Sequence, residues 1–199
     1  GAIKIHPTDP NIVYAATGGK IIKTIDGGAT WATVYAENNL WVNDIAFKID
    51  QPEIVLAASD QGLLRTGNSG LNWTKIHTQQ TWTVEFKPGD PLTVFAIRKS
   101  GSGSDFRVST DGGATFNNSN TGWWTPAAGQ SVTGAHIAVC PSNPAKVYTY
   151  LCGEGGNLGG YIGVFKSTNS GASWSNTHPS NAIGQPYTIP NHTNLMDAN

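Results

Sequence analysis

One octamer design is written four times in this chain. It occurs as Thr24 to Trp31 (TIDGGATW), Thr66 to Trp73 (TGNSGLNW), Ser109 to Phe116 (STDGGATF) and Ser167 to Trp174 (STNSGASW), with the shared skeleton Ser/Thr-x-Asp/Asn-x-Gly-x-x-aromatic. The chemistry is that of a tight hairpin. A short Asp or Asn side chain accepts amides of its own turn, and the Gly two residues on supplies a positive φ. The aromatic opens the returning strand. Four such turns in register define a repeat protein, and they confine the chain to small sheets that must lean on one another to bury their faces.

The octamer aspartate or asparagine recurs as Asp26, Asn68, Asp111 and Asn169, at spacings of 42, 43 and 58 residues. Repeats of ~40 to 50 residues are what four-stranded propeller blades require. A second motif precedes each octamer: Ile5-His6-Pro7-Thr8-Asp9-Pro10, Phe47-Lys48-Ile49-Asp50-Gln51-Pro52, Phe86-Lys87-Pro88-Gly89-Asp90-Pro91 and Val139-Cys140-Pro141-Ser142-Asn143-Pro144, each running on into a β-branched pair or an aromatic. The two motifs together span residues 3 to 175.

The octamer resembles the Asp-box of the β-propeller superfamily that includes sialidases, sortilin-like receptors and family 74 xyloglucanases. Within it, the chain is similar to large secreted bacterial proteins with sortilin-like or family-74-like (BNR-like) repeats, many exported by type IX secretion. The resemblance implies an all-β chain of about four four-stranded antiparallel blades, over about 1–36, 40–78, 81–120 and 130–178, forming part of a larger propeller. It implies a secreted or cell-surface location. Residues 181–199 are expected to connect to a further element.

In the second repeat the alternation and β-branched content predict strands at Asn43 to Phe47, Ile54 to Ala58, Gly62 to Thr66 and Asn72 to Ile76. No window supports a helix free of Gly or Pro. Charged residues make up 13% of the chain against a typical ~25%, and the net charge of −1 offers no electrostatic reason for nucleic acid or an anionic membrane as partner. No apolar run approaches the ~18 residues of a membrane span. Cys140 and Cys152 are expected as free, mostly buried thiols, because five residues of strand separate them along a hairpin.

Two repeats carry insertions between their second and third strands, at Lys99 to Asp105 and at Cys152 to Gly160. In an up-and-down sheet these loops emerge on the face that also carries the connections between blades, whereas the octamers and the Pro-containing turns share the opposite face. Loop variation on a rigid scaffold is where function concentrates, so the face opposite the octamers is the candidate functional face. There the connections end in Trp41, Trp82 and the pair Trp123-Trp124. Indoles stack on sugar rings, so these residues, with Asp105 and Glu154, are the candidate ligand-binding set. They serve equally as plugs between blades, and adjacent tryptophans on a strand point to opposite faces, leaving one of Trp123 and Trp124 exposed.

Asp26, Asn68, Asp111 and Asn169, with the aromatics Trp31, Trp73, Phe116 and Trp174, are read as structural. A position that alternates between Asp and Asn serves as a hydrogen-bond acceptor, not as an acid or a metal ligand. A glycosidase needs two carboxylates across a groove. Asp44, Asp60, Glu85, Asp105 and Glu154 are the acids on the proposed face, with Asp60 and Asp44 the weak catalytic candidates. Ala57-Ala58-Ser59-Asp60-Gln61-Gly62 resembles the stretch carrying an acid in family 74 enzymes, whose second acid comes from a separate propeller.

A sialidase is disfavoured, since Arg65, Arg98 and Arg107 are the chain's three arginines and the family's Phe/Tyr-Arg-Ile-Pro segment is missing. His6, His77, His136, His178 and His192 show no ligand-like spacing, and two distant cysteines make no zinc site, so neither metal nor cofactor is expected. Gly153 to Gly160 lacks the helix and Lys-Ser/Thr of a phosphate cradle.

The expected function is a non-catalytic interaction or glycan-binding propeller segment of a large secreted or cell-surface bacterial protein. Its expected partners are the parent's remaining blades or domains and a glycan, a cell-surface protein or a secretion-machinery protein. The alternative is part of a family-74-like xyloglucan hydrolase.

Overall fold

The computed structural model describes residues 1–155 and 160–177. They form sixteen strands and, among the described residues, no helix. The first sheet comprises β1 (Ile3–Ile5), β2 (Val13–Thr17), β3 (Lys20–Thr24) and β4 (Ala32–Ala36). The second comprises β5 (Val42–Phe47), β6 (Val55–Ser59), β7 (Gly62–Thr66) and β8 (Thr74–His77). The third runs β9 (Thr81–Lys87), β10 (Asp90–Ser100), β11 (Gly103–Ser109) and β12 (Asn117–Asn118). The fourth runs β13 (Ser131–Val139), β14 (Val147–Glu154), β15 (Gly160–Ser167) and β16 (Ser175–Asn176).

Every sheet is antiparallel with its strands in sequence order. The first strands of successive sheets lie against one another, β1 on β5, β5 on β9 and β9 on β13, so the sheets are blades of a β-propeller. In the second blade the observed strands lie within two residues of the expected ones. The connection expected over 181–199 lies outside the described residues.

Each octamer closes the hairpin between third and fourth strands by the same hydrogen bonds. The buried hydroxyl of Thr24, Thr66, Ser109 or Ser167 donates to the Asp or Asn side chain two residues on, at 2.7 to 3.0 Å. The same oxygen accepts the amide of the octamer glycine, Gly28, Gly70, Gly113 or Gly171, at 2.9 to 3.0 Å. The Asp or Asn carbonyl-type oxygen accepts the amide of the seventh residue at 2.9 Å in all four. Asp and Asn serve identically in this geometry because each offers one acceptor there.

Each turn is also tied to the Pro-containing turn of its own blade, through Gly27 N to Asn11 O, Ser69 N to Glu53 O, Gly112 N to Leu92 O and Ser170 N to Ala145 O. The two motifs therefore do share one face. Positive φ falls on two successive octamer positions, not one. Where the first of them is serine, Ser69 and Ser170 take left-handed values of 58° and 56°.

The core is divided among the joints between blades. One cluster, with Tyr14, Ile45 and Val55, fills the first joint. A second, with Leu56, Val84 and Phe116, fills the next. The third, with Phe95, Phe106, Leu151 and Trp174, fills the last. The central blades are accordingly buried on both faces, as the uninterrupted burial of β6 shows. Strand β14 instead alternates buried and exposed residues.

Three expectations change. The insertion at Lys99 to Asp105 is not a loop but an extension of β10 and β11 into a longer hairpin, turned at Gly101 with φ 58°. Strands β14 and β15 are lengthened likewise on either side of the Gly-rich segment. The free thiols of Cys140 and Cys152 are half-buried, not buried. Cys152 lies on β14, where buried and exposed residues alternate, and Cys140 lies in the Pro-containing turn that precedes it.

Candidate functional site

On the face opposite the octamer turns, the first and second blades bound an open cleft of about 810 Å³ lined among others by Lys20, Glu37, Asn39, Trp41 and Asp60. Three local segments build it. The β2–β3 turn supplies Gly18 and Gly19, the end of β4 and the β4–β5 connection supply Ala36 to Trp41, and the β6–β7 turn supplies Asp60. A smaller hollow of about 270 Å³, lined by Ala16, Thr17 and Val42 besides shared residues, adjoins it.

The connection is held as a rigid shelf. Glu37 N donates to Gly19 O at 3.0 Å, Gln61 Nε2 donates to Asn38 O at 2.7 Å, and Asn39 takes a left-handed φ of 58°. Asp60 and Trp41 are linked twice: Trp41 N donates to Asp60 Oδ1 at 2.8 Å and Asp60 N donates to Trp41 O at 3.0 Å. With its backbone clamped, Trp41 leaves its side chain outward, 59% exposed.

Glu37 accepts from Lys75 Nζ at 2.8 and 2.9 Å and from Tyr35 Oη at 2.7 Å. The hydrogen bond from Lys75, then that from Tyr35, hold its carboxyl below the usual range. Burial, with the neighbouring Glu37, pushes the Tyr35 phenol up to about 12. The cleft therefore carries a fixed anion, an exposed indole and amide hydrogen-bonding groups. A proton donor needs a raised pKa, and Glu37 shifts the opposite way.

The other candidate residues do not converge here. Trp82, Trp123 and Trp124 are all buried, at 6%, 7% and 3%. The expectation that one of Trp123 and Trp124 stays exposed is corrected, because residues 119–130 form no strand and the pair is free to turn inward together. Trp123 donates Nε1 to Ser104 O at 2.9 Å and lies edge-on to Trp174 at 5.0 Å. Asp44 accepts from Thr83 Oγ1 at 2.9 Å and from Val84 N at 3.1 Å, clasping the second blade to the third. Asp105 is buried, paired with Arg98 at 3.1 Å and bonded by Asn120 Nδ2 at 2.9 Å. Glu154 stands at the far hairpin, with Ser131 Oγ 3.4 Å away. Glu85 is half-buried, and burial raises its carboxyl.

At the octamers, hydrogen bonds from Thr30 and Thr24 hold Asp26 at about 2. Burial opposes ionisation of Asp111, but the bonds from Thr115 and Ser109 outweigh it and bring that carboxyl to about 2 as well. No group of three or more His, Cys, Asp or Glu side chains suited to a metal occurs among the described residues. No helix among them is long and apolar enough to cross a membrane.

Sequence reasoning placed Trp41 and Asp60 on this face but missed Glu37, Lys20 and the Asn38-Asn39 shelf. The Glu37–Lys75 pair spans 38 residues and two blades, and no local pattern announces it.

No family model matches the chain, and no curated protein matches its sequence. Solved structures do. An ancestral GH74 enzyme is similar over 90% of this chain and 24% of its own, at 20% identity and a TM-score of 0.66. The GH74 enzyme of Niastella koreensis is similar over 88% of this chain and 24% of its own, at 21% identity and a TM-score of 0.62. A chain of a nidogen/laminin complex is similar over 84% of this chain and 59% of its own, at 9% identity and a TM-score of 0.57. The chain thus spans about a quarter of the length of the two GH74 structures. At these identities the likeness establishes the fold, a β-propeller of which the described residues form four blades.

Proposed function

We propose that this chain is a non-catalytic, glycan-binding propeller segment of a larger secreted or cell-surface bacterial protein, with the Trp41 cleft as its binding site. The single observation that carries the reading is an exposed indole on a clamped backbone, set in a cleft with polar groups. An aromatic face receives the apolar face of a sugar ring while Lys20, Asn39 and Asp60 meet its hydroxyls. The backbone that carries Trp41 is already held, so binding costs little backbone ordering. In this reading the octamers are Asp-boxes, and they hold the opposite face rigid. The likeness to a nidogen/laminin chain is compatible with a propeller that acts by contact alone.

The test is titration calorimetry of the chain with β-glucan, xyloglucan and other plant and bacterial oligosaccharides. Binding lost in Trp41→Ala with the fold intact supports the proposal, and no saccharide binding at any concentration tested refutes it.

The second reading is a contribution to a family-74-like β-glucan hydrolase, and the placement of Asp60 in the same cleft as Trp41 favours it. Asp60 would be one of two acids, the other lying outside this chain. Glu37, the other carboxylate of the cleft, is held ionised by Lys75 and is unsuited to donate a proton. Xyloglucan turnover by the full parent that vanishes in Asp60→Asn would establish the enzyme.

A further inference from the structure

The first two joints match position by position in their outer halves but differ in charge. In the first, Tyr35 stands opposite Ile21, and Glu37 follows two residues on, its carboxylate accepting from Tyr35 Oη at 2.7 Å and from Lys75 Nζ at 2.8 Å. In the second, between the second and third blades, His77 stands opposite Leu63, and Gln79 follows two residues on. A neutral amide therefore holds the place of the carboxylate.

Cations surround it. Leu63 and Ala96 belong to the core of this second joint. Arg65 and Arg98 lie two residues beyond them on β7 and β10, and Arg107 stands opposite Ala96, so all three arginines of the chain face one joint. Arg98 pairs with Asp105 at 3.1 Å, the one ion pair these guanidiniums form among the described residues, and donates Nη1 to Gln79 Oε1 at 3.1 Å. Arg107 donates its terminal nitrogens to Asn118 Oδ1 and to the Phe116 carbonyl. Arg65 has neither a hydrogen bond nor an ion pair among the described residues.

Arg65 Nε, Arg107 Nε and both ring nitrogens of His77 are buried without a hydrogen-bond partner, four of the eight such side-chain atoms among the described residues. Each costs free energy until an acceptor meets it, and half-buried guanidinium charge without a counter-charge adds to the cost. Burial, then the charges of Arg98 and Arg107, bring the imidazole down to about 4, and only the Gln79 backbone favours its protonated form. The net charge of the whole chain is −1, so this positive excess is local.

From the contrast between the joints we infer that the outer half of the second, around His77 and Arg107, binds an oxyanion group of a ligand (sulfate, phosphate or carboxylate) in the role that the Glu37 carboxylate fills in the first. The anion accepts from Arg107 Nε and from protonated His77, and Arg65, which no bond holds, closes on it from the second blade. Arg65, His77, Arg98 and Arg107 are half-buried, so the ligand reaches them from the rim. The site shares no residue with the Trp41 cleft and stands whether or not that cleft takes a glycan.

Calorimetric titration of the 199-residue chain with sodium sulfate, at an ionic strength balanced by chloride, tests it. The expected result is saturable binding, roughly 10-fold tighter at pH 5 than at pH 7 because the anion draws a proton onto His77. His77→Gln should abolish that pH dependence. Arg107→Gln should weaken binding at least ~10-fold, and Arg65→Gln, which breaks no bond within the chain, at least ~3-fold. Circular dichroism checks that each variant is folded. A uronic-acid oligosaccharide that displaces sulfate would support the site as one for an acidic glycan, and sulfate binding that it cannot displace would support a site for the free oxyanion. Saturable binding of neither sulfate nor the oligouronate at either pH, or binding untouched by Arg107→Gln and Arg65→Gln, would overturn the proposal.

Discussion

Trp41 and Asp60 hold each other by two hydrogen bonds, a backbone amide to a carboxylate at 2.8 Å and a backbone amide to a backbone carbonyl at 3.0 Å. The carboxylate is thereby a brace for the exposed indole. Asp60→Asn keeps an acceptor at Oδ1 and should leave glycan affinity within about twofold, whereas Asp60→Ala removes it and should weaken binding ~3- to 10-fold with a stability loss of ~0.5–1.5 kcal/mol. Calorimetric titration and urea unfolding of the two variants read this out. Equal effects of Asn and Ala would refute the bracing role.

The octamer glycine does two jobs that a pair of substitutions separates. Gly28 and Gly113 both hold positive φ, 96° and 84°, but a Cβ at Gly113 would stand 2.7 Å from Leu56 Cδ1 of the preceding blade. Gly28→Ala should cost the backbone strain alone, ~1–2 kcal/mol. Gly113→Ala should cost ~2–4 kcal/mol, because overpacking is added. Chemical denaturation of both gives the difference, and equal losses would contradict it.

Ser69 and Ser170 occupy left-handed backbone where the first and third octamers have glycine. Ser69→Gly and Ser170→Gly should each stabilise by up to ~1 kcal/mol, the released strain being partly offset by the greater freedom of glycine in the unfolded chain. Thermal melts of the two variants measure it.

His77 lies between blades, where burial, then the charges of Arg98 and Arg107, bring its pKa down to about 4. The unfolded chain takes up this proton near pH 6.5 and the folded chain only near 4, so stability should fall as pH drops through that window and level off below it. Asp26 and Asp111, at about 2 in the folded chain, add a further loss from about pH 4 down to 2, because the unfolded carboxylates protonate first. In urea midpoints against pH, His77→Gln should flatten the upper window and leave the lower one. A profile unchanged by His77→Gln would refute the assignment.

The blade count, the strand order and the turn chemistry were legible because their causes are local. A hydroxyl, an acceptor and a glycine within eight residues close each hairpin whatever surrounds them, as the four identical bond sets from Thr24, Thr66, Ser109 and Ser167 demonstrate. The orientation of the tryptophans was not. Trp41, Trp82 and Trp123 all end connections between blades, yet one is outward and two are inward. What separates them is the neighbouring blade: Trp123 finds Phe106, Phe165 and Trp174 to pack against, whereas the backbone of Trp41 is clamped to Asp60 at a rim.

The amino-acid order alone determined that small antiparallel sheets repeat and that each must lean on the next. Which residues meet across those joints was decided only in three dimensions. Lys23 reaches Ser69 across 46 residues and Lys75 reaches Glu37 across 38. Pairings at such separations depend on the angle between whole blades, which is set by the summed packing of their faces and is written in no single segment.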